Sequence, residues 1–299
     1  MPAGAEALTF KAADGAVLRG ALFKTPKADK TLVLLTGWSE FIEKYFETVS
    51  DMQARGFNVA MMDWRSQGLS QRFGDTPSLT HMEDFDLFRQ DIITFTDEVV
   101  APQMPGPYYL MTHSMGGAPA LALLADGDTR FKAAALCAPL TRLATSSFVI
   151  FAAKTIAGLG VALGAGERGS PRQGDNPERF DERALTHEVE RHNHFLALQR
   201  AKPEAAVAGQ TLAWVKAAIA AMDDLHRPER FTALKTPVLI ISAGQDRLCD
   251  SNDHAQLAKT APLIENVLIK DARHEIMMER DDLRDAYFDA VDTFFGKHQ

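Results

Sequence analysis

The chain has 299 residues, a net charge of −8, 46% hydrophobic residues and 24% charged ones. That is room for one large globular domain, or one domain with an inserted lobe. The acidic balance argues against nucleic acid as the main partner and against electrostatic adhesion to anionic membranes.

The N-terminal stretch MPAGAEALTFKAADG has no basic segment followed by a long apolar run. A signal peptide is therefore not expected, and the location predicted is cytoplasmic. Cys137 and Cys249 sit in apolar, strand-like surroundings and read as two buried thiols rather than a disulfide framework.

In chain order, LTF and VLRGALF read as an antiparallel start, and TLVLLT (31–36) as a short apolar strand ending at Gly37. Residues 41–56 have helical spacing and stop at Gly56, a residue suited to a helix C-terminus. NVAMMD (58–63) is strand-like, 81–100 is amphipathic and helical, and YYLMTH (108–113) is a strand. GGAPALALLA (116–125) is helical and FKAAALCAPL (131–140) is again an apolar run. TPVLIISAGQD (236–246), NVLIKD (266–271) and the helical 281–295 complete the alternation. Such alternation predicts a mostly parallel sheet with helices on both faces.

Residues 140–236 break the pattern over a length no ordinary crossover needs. They are predicted to form an inserted helical lid, 141–231, on a core made of 1–140 and 232–299. Within it, 147–166 approaches the length that spans a bilayer, but it contains Lys154 and four glycines. It reads as an apolar helix of the insertion, with the polar stretch GERGSPRQGDNPERF after it.

The chemistry concentrates at LMTHSMGGAPA (110–120), where an apolar strand runs into Ser114 and then Gly116. A strand, Ser-x-Gly and a helix in succession form the setting of a nucleophile elbow, which needs small neighbours because the serine is held in a strained turn. Thr112 stands where a glycine is usual and has to be accommodated by local packing. A serine hydroxyl needs a histidine to take its proton, and that histidine needs a carboxylate to orient it. Asp246 follows one strand and His274 follows the last, in the chain order Ser–Asp–His. Asp250 and Asp271 are the rival carboxylates. Donors for a developing oxyanion are expected at the backbone N–H groups of Met115 and of Trp38, in Thr36-Gly37-Trp38.

These segments resemble the α/β-hydrolase family, and within it the lysophospholipase and monoacylglycerol lipase branch. The resemblance is carried by TGWSEFIEKY (36–45), DWRSQGLSQR (63–72), HSMGG (113–117), SAGQDRLCD (242–250) and ARHEIMMERDDLRD (272–285). The first two segments are more similar to bacterial lysophospholipases. It departs from the family pattern at Thr36, Ser66 and Thr112. The resemblance implies an eight-stranded, mostly parallel sheet with a lid, Ser114 as nucleophile, Asp246 as orienting acid, His274 as base, and Trp38 and Met115 as oxyanion donors. It implies a serine ester hydrolase for monoacyl lipids that uses no cofactor. A small-ester or carbon–carbon bond hydrolase is the alternative within the class. A non-catalytic ligand-binding protein on the same fold is the alternative outside it.

Glu40 has two readings, as the residue that orders the oxyanion loop and as a helix-start acid favoured by the dipole. Asp63, Arg65 and Gln67 read as a buried polar network holding the loop beside the site. His192 and His194 stand two apart on a helix and so point in different directions, which argues against a metal pair. Phe148, Phe151, Trp214 and Met222 lie on lid helices and are the candidates for an acyl-chain groove. The lid also leaves room for a transient contact with a membrane surface.

Overall fold

The computed structural model describes residues 1–170 and 185–298. An eight-stranded sheet organises the chain, in the order β1-β2-β4-β3-β6-β7-β9-β10. Its strands are β1 (Ala5–Lys11), β2 (Val17–Phe23), β3 (Lys30–Leu35), β4 (Phe57–Met62), β6 (Tyr108–His113), β7 (Phe131–Cys137), β9 (Val238–Ala243) and β10 (Ile264–Ile269). The first two pair antiparallel, β2 pairs antiparallel with β4, and every later pairing is parallel. The parallel strands are covered on both faces, which is why β4 and β9 are buried along their whole length and read as continuous apolar runs. A separate two-stranded pair, β5 (Leu79–Thr80) with β8 (Gly209–Gln210), ties the insertion to the core.

Side chains of each central strand alternate between two cores. Leu110 of β6 joins the face with Trp64, Phe88 and Leu121. Its neighbours Tyr109 and Met111 join the face with Val49, Tyr287 and Phe294. The flanking helices are α1 (Phe46–Ala54), α2 (Asp86–Thr94), α3 (Gly117–Ala125) and, in the insertion, α4 (Ser147–Ala162), α5 (Val189–Ala201) and α6 (Leu212–Leu225). They are followed by α7 (Ser251–Thr260) and α8 (Asp281–Lys297).

Two expected helices differ in detail. The 81–100 segment is helical only from Asp86 and widens to a π-type turn over Phe95–Val100, where the Thr96 hydroxyl donates back to the Ile92 carbonyl at 2.7 Å. The helix expected at 116 is preceded by a 3₁₀ turn, Ser114–Gly116. Most of the polar stretch 166–180 lies outside the described residues. The insertion does not stand wholly apart from the core: Trp214, Ile219 and Met222 of α6 are buried in the same cluster as β6 and α3.

Asp253 at the start of α7 clamps both ends of the insertion. It accepts from the Thr141 hydroxyl at 2.7 Å and Arg142 Nε at 2.9 Å, and lies 2.8 Å from His226 Nε2. No helix among the described residues is long and apolar enough to cross a membrane.

Candidate active site

The parallel strands end at one edge of the sheet, where binding sites of such sheets form. Ser114 follows β6 directly and holds a left-handed φ of +48°, a conformation L-residues adopt only when their surroundings enforce it. Gly116 permits it: a Cβ there would lie 2.6 Å from the Thr36 carbonyl oxygen. Thr112 is accommodated with its hydroxyl buried and unpartnered, as is that of Thr36.

Asp246, after β9, and His274, after β10, converge on this turn. His274 Nε2 is 2.9 Å from Ser114 Oγ, and its Nδ1 is 2.8 Å from Asp246 Oδ2. The other carboxylate oxygen of Asp246 accepts the N–H groups of Leu248 at 2.8 Å and Cys249 at 3.0 Å. Burial works against ionising Asp246, yet the hydrogen bond and charge of His274 bring its pKa below the ordinary value. The rivals do not compete. Asp250 caps α7 by accepting the N–H of Asn252, and Asp271 is exposed.

The ligand atoms of Asp246, Cys249 and His274 lie within 4.8 Å of one another. Two of the three are already committed to each other. Burial, and then the nearby Asp246 charge, push the Cys249 thiol well up, so it stays protonated.

The loop after β3, which carries Trp38, is held from several sides. The Gly37 N–H donates to the Glu40 carboxylate, and the Ser39 N–H donates to Gln67 Oε1 at 2.7 Å. The Trp38 indole donates to the Thr80 hydroxyl at 3.0 Å and its ring lies against Trp214. Met115 belongs to the first turn of the helix, whose N–H groups have no intrahelical acceptor. Glu40 therefore orders the loop rather than merely starting a helix.

The expected network of Asp63, Arg65 and Gln67 is buried, but the three act separately. Asp63 pairs with Arg19 and accepts the Ile42 and Leu69 N–H groups. Arg65 pairs with Asp91 and Asp14, while Gln67 accepts from Ser39 in the loop after β3.

Behind the site lies a cluster that the local sequence pattern did not reveal. Glu40 accepts from Lys44 Nζ and from the Tyr45 hydroxyl, each at 2.7 Å, and lies 3.1 Å from His113 Nδ1. His113 Nε2 is 3.3 Å from the His274 carbonyl oxygen, and Lys44 also pairs with Glu275. Burial would lower the His113 pKa, but the Glu40 carboxylate overrides it and raises the imidazole above its ordinary value. Burial likewise opposes the charge on Glu40. His113 and Lys44 outweigh it and hold that carboxyl well below its ordinary range. The loop after β3 and the loop of His274 are thus joined through buried charge. The available signals were a histidine beside the serine and a glutamate inside the apolar run HEIMM.

A pocket of about 70 Å³ opens at Ser114, with Trp38, His274, Leu185 and Leu248 among its lining residues. Phe148, Phe151, Trp214 and Met222 do not line it. Phe148 and Phe151 point outward, 78% and 67% exposed, while Trp214 and Met222 are core residues. The wall from the insertion is instead one face of α5: His192, Phe195, Leu196 and Gln199. His192 is buried against the pocket and His194 is exposed, so the two diverge.

The chain is 28% identical over 309 residues to "Lysophospholipase L2" of Escherichia coli (strain K12), covering 97% of this chain and 87% of that protein. It is 24% identical over 291 residues to "Monoglyceride lipase" of Rattus norvegicus, covering 94% and 88%. In structure it is similar to a soluble variant of monoglyceride lipase from Saccharomyces cerevisiae solved with a substrate analog. That superposition has a TM-score of 0.77 at 18% identity and covers 98% of this chain and 95% of the other. A thermostable carboxyl esterase from Bacillus coagulans gives a TM-score of 0.75 at 17% identity, covering 100% and 99%. These likenesses establish the α/β-hydrolase fold. Residues 26–281 match the hydrolase family described as serine aminopeptidase, S33, and the chain belongs to that family.

Proposed function

We propose that the chain is a serine hydrolase that cleaves carboxylic esters of monoacyl lipids through an acyl-enzyme on Ser114. The observation that carries this reading is the unbroken series Asp246–His274–Ser114, with hydrogen-bond distances of 2.8 and 2.9 Å. The relatives named lysophospholipase and monoglyceride lipase support the substrate class. Ser114 Oγ attacks the acyl carbonyl while His274 Nε2 takes its proton. Asp246 holds the imidazole in the required tautomer and stabilises the imidazolium. The N–H groups of Met115 and Trp38 receive the developing oxyanion. His274 then protonates the leaving alcohol, and water enters by the same base to release the fatty acid.

The insertion 141–231 is read as a lid. Phe148, Phe151, Ile156, Leu159 and Leu163 are exposed and share one face of α4 and its C-terminal end. That apolar stripe supports a transient contact with a lipid surface by insertion rather than by charge, since the chain carries −8. Cys137 and Cys249 are free and buried, which supports a reducing, cytoplasmic setting.

One observation favours a second reading, a hydrolase of small esters. The pocket of about 70 Å³ is far below the ~300 Å³ at which ordinary ligand clefts begin. A long acyl chain needs the insertion to move, whereas a short one does not. Fatty-acid release decides, measured on lysophosphatidylcholine, lysophosphatidylethanolamine, 1-monoacylglycerol and p-nitrophenyl esters from short to long chains. Long-chain turnover that falls at least ~10³-fold in Ser114→Ala is expected. Short-chain turnover alone would establish the small-ester reading. A folded wild type inactive on every ester would overturn both.

A further inference from the structure

The inward face of α5 mixes polar and apolar side chains over the site of Ser114. His192, Phe195, Leu196 and Gln199 follow the i, i+3, i+4, i+7 spacing of one helical stripe, and all four line the pocket shared with Ser114 and His274. The middle pair is apolar and both ends are polar. His192 and Gln199 are each only 6% exposed, and neither has a polar atom that is both fully buried and unpartnered, so their polar ends stay open to the pocket they line. Two polar side chains on one stripe, both facing the pocket that holds the serine, are placed to meet a ligand there.

Packing and ion pairs orient this helix. Phe195 packs on Phe41 with ring centroids 5.3 Å apart, and Lys44 Nζ lies 4.6 Å from the Phe195 centroid. Arg191 on the neighbouring face pairs with Glu47 and Asp281.

The chemistry of the wall selects among leaving groups. A glutamine amide both donates and accepts, and a neutral imidazole does the same through its two nitrogens. Together they match an alcohol that carries further hydroxyls. The leaving group of a lysophospholipid keeps one free hydroxyl but adds a phosphodiester, whose anionic oxygens only accept and call for a free cation. Lys44, the lysine or arginine among the described lining residues, is already paired with Glu40 and Glu275. A quaternary ammonium needs an open aromatic face; the Lys44 ammonium already occupies that of Phe195, and the Trp38 ring lies against Trp214.

We infer that His192 and Gln199 form the leaving-group subsite, and that it takes a neutral, hydroxyl-bearing alcohol of the glycerol type in preference to a phosphodiester headgroup. The inference rests on the hydrolase reading of Ser114.

The test compares wild type, His192→Leu and Gln199→Leu on three esters of one fatty acid: 1-monoacylglycerol, lysophosphatidylcholine and the methyl ester, whose leaving group has no further hydroxyl. Wild type is expected to favour the monoacylglycerol. Each variant should lose about tenfold in kcat/KM on it relative to its own kcat/KM on the methyl ester, whose leaving group has no further hydroxyl for the subsite to hold. Thermal melts of the three proteins check folding, and Gln199→Asn supplies a conservative variant that should recover part of the loss. Equal losses on all three esters, no loss on any, or a wild-type preference for lysophosphatidylcholine would overturn the subsite. In each of those cases ester hydrolysis by Ser114 still stands. A folded wild type that cleaves none of the three would overturn the hydrolase reading and the subsite together.

Discussion

Glu40 shows how one buried charge can serve two loops. Its carboxylate holds the Gly37 N–H, Lys44, Tyr45 and His113, and His113 in turn reaches the His274 carbonyl. Glu40→Gln keeps the shape and removes the charge. It should lower kcat about tenfold with little change in KM, because the reacting groups lose their mutual placement while the pocket persists. Stability should fall by about 3 kcal/mol, since Lys44 and His113 then lose a buried counter-charge. The pH dependence has a definite sign. The groups that face His113 are Glu40, Lys44 and Glu275, and the balance raises its pKa above 6.5. Its contribution is therefore complete below 6.5 and is lost as pH rises through the higher folded value. The gap in melting temperature between wild type and variant should narrow over that rise without closing, because Lys44 stays charged. A gap that is constant with pH would show that His113 does not titrate against Glu40 over that range.

At the scale of elements, α7 anchors the insertion. Asp253 binds Thr141 and Arg142 at its entry and His226 at its exit. Burial opposes its charge, but the hydrogen bonds of His226, Thr141 and Arg142 bring its pKa from 3.8 down to about 2. Asp253→Asn removes charge-assisted bonds and should cost about 2 kcal/mol near neutral pH, read as a shift in the urea midpoint. A depressed carboxyl stabilises above its unfolded value. The difference between the two proteins should therefore shrink as pH falls from 3.8 through about 2. An unshifted midpoint at neutral pH would show that the clamp does not contribute to stability. The elements themselves were largely legible in the sequence. Each central strand is a short apolar run and each flanking helix has an apolar stripe, so local pattern was enough to find them. The boundaries that moved are those where a side chain or a close approach intervenes, as at Thr96 within the π-type turn and at Ser114–Gly116, which turns under the Thr36 carbonyl.

For the whole molecule, the outward stripe of α4 and the inward stripe of α5 divide the work proposed for the insertion. One meets the lipid surface and the other meets the ester. Phe148→Ser with Phe151→Ser should slow hydrolysis of a long-chain monoacyl ester presented in vesicles several-fold, because about 2 kcal/mol of burial is available from each phenyl group. Hydrolysis of a short soluble p-nitrophenyl ester should be unchanged, since neither phenylalanine lines the pocket. Equal rates on vesicles for wild type and double variant would remove the stripe from the proposed route of substrate entry.

The amino-acid order by itself determined the strand and helix sequence, the parallel architecture, and the positions of Ser114, Asp246 and His274 just past strand ends. Those features are encoded by residues close together along the chain, through periodicity and the glycines that a tight turn requires. Only the tertiary structure decided which contacts cross between distant segments. Lys44 and Glu275 stand 231 residues apart and meet behind the site, and Asp253 closes the insertion from outside it. Tertiary packing also decided the fate of faces with similar local composition. Trp214 and Met222 went to the core, Phe148 and Phe151 went to the surface, and His192 and Gln199 went to the pocket. An apolar stripe specifies that a helix has a preferred face. What that face meets depends on the surface the rest of the chain presents to it.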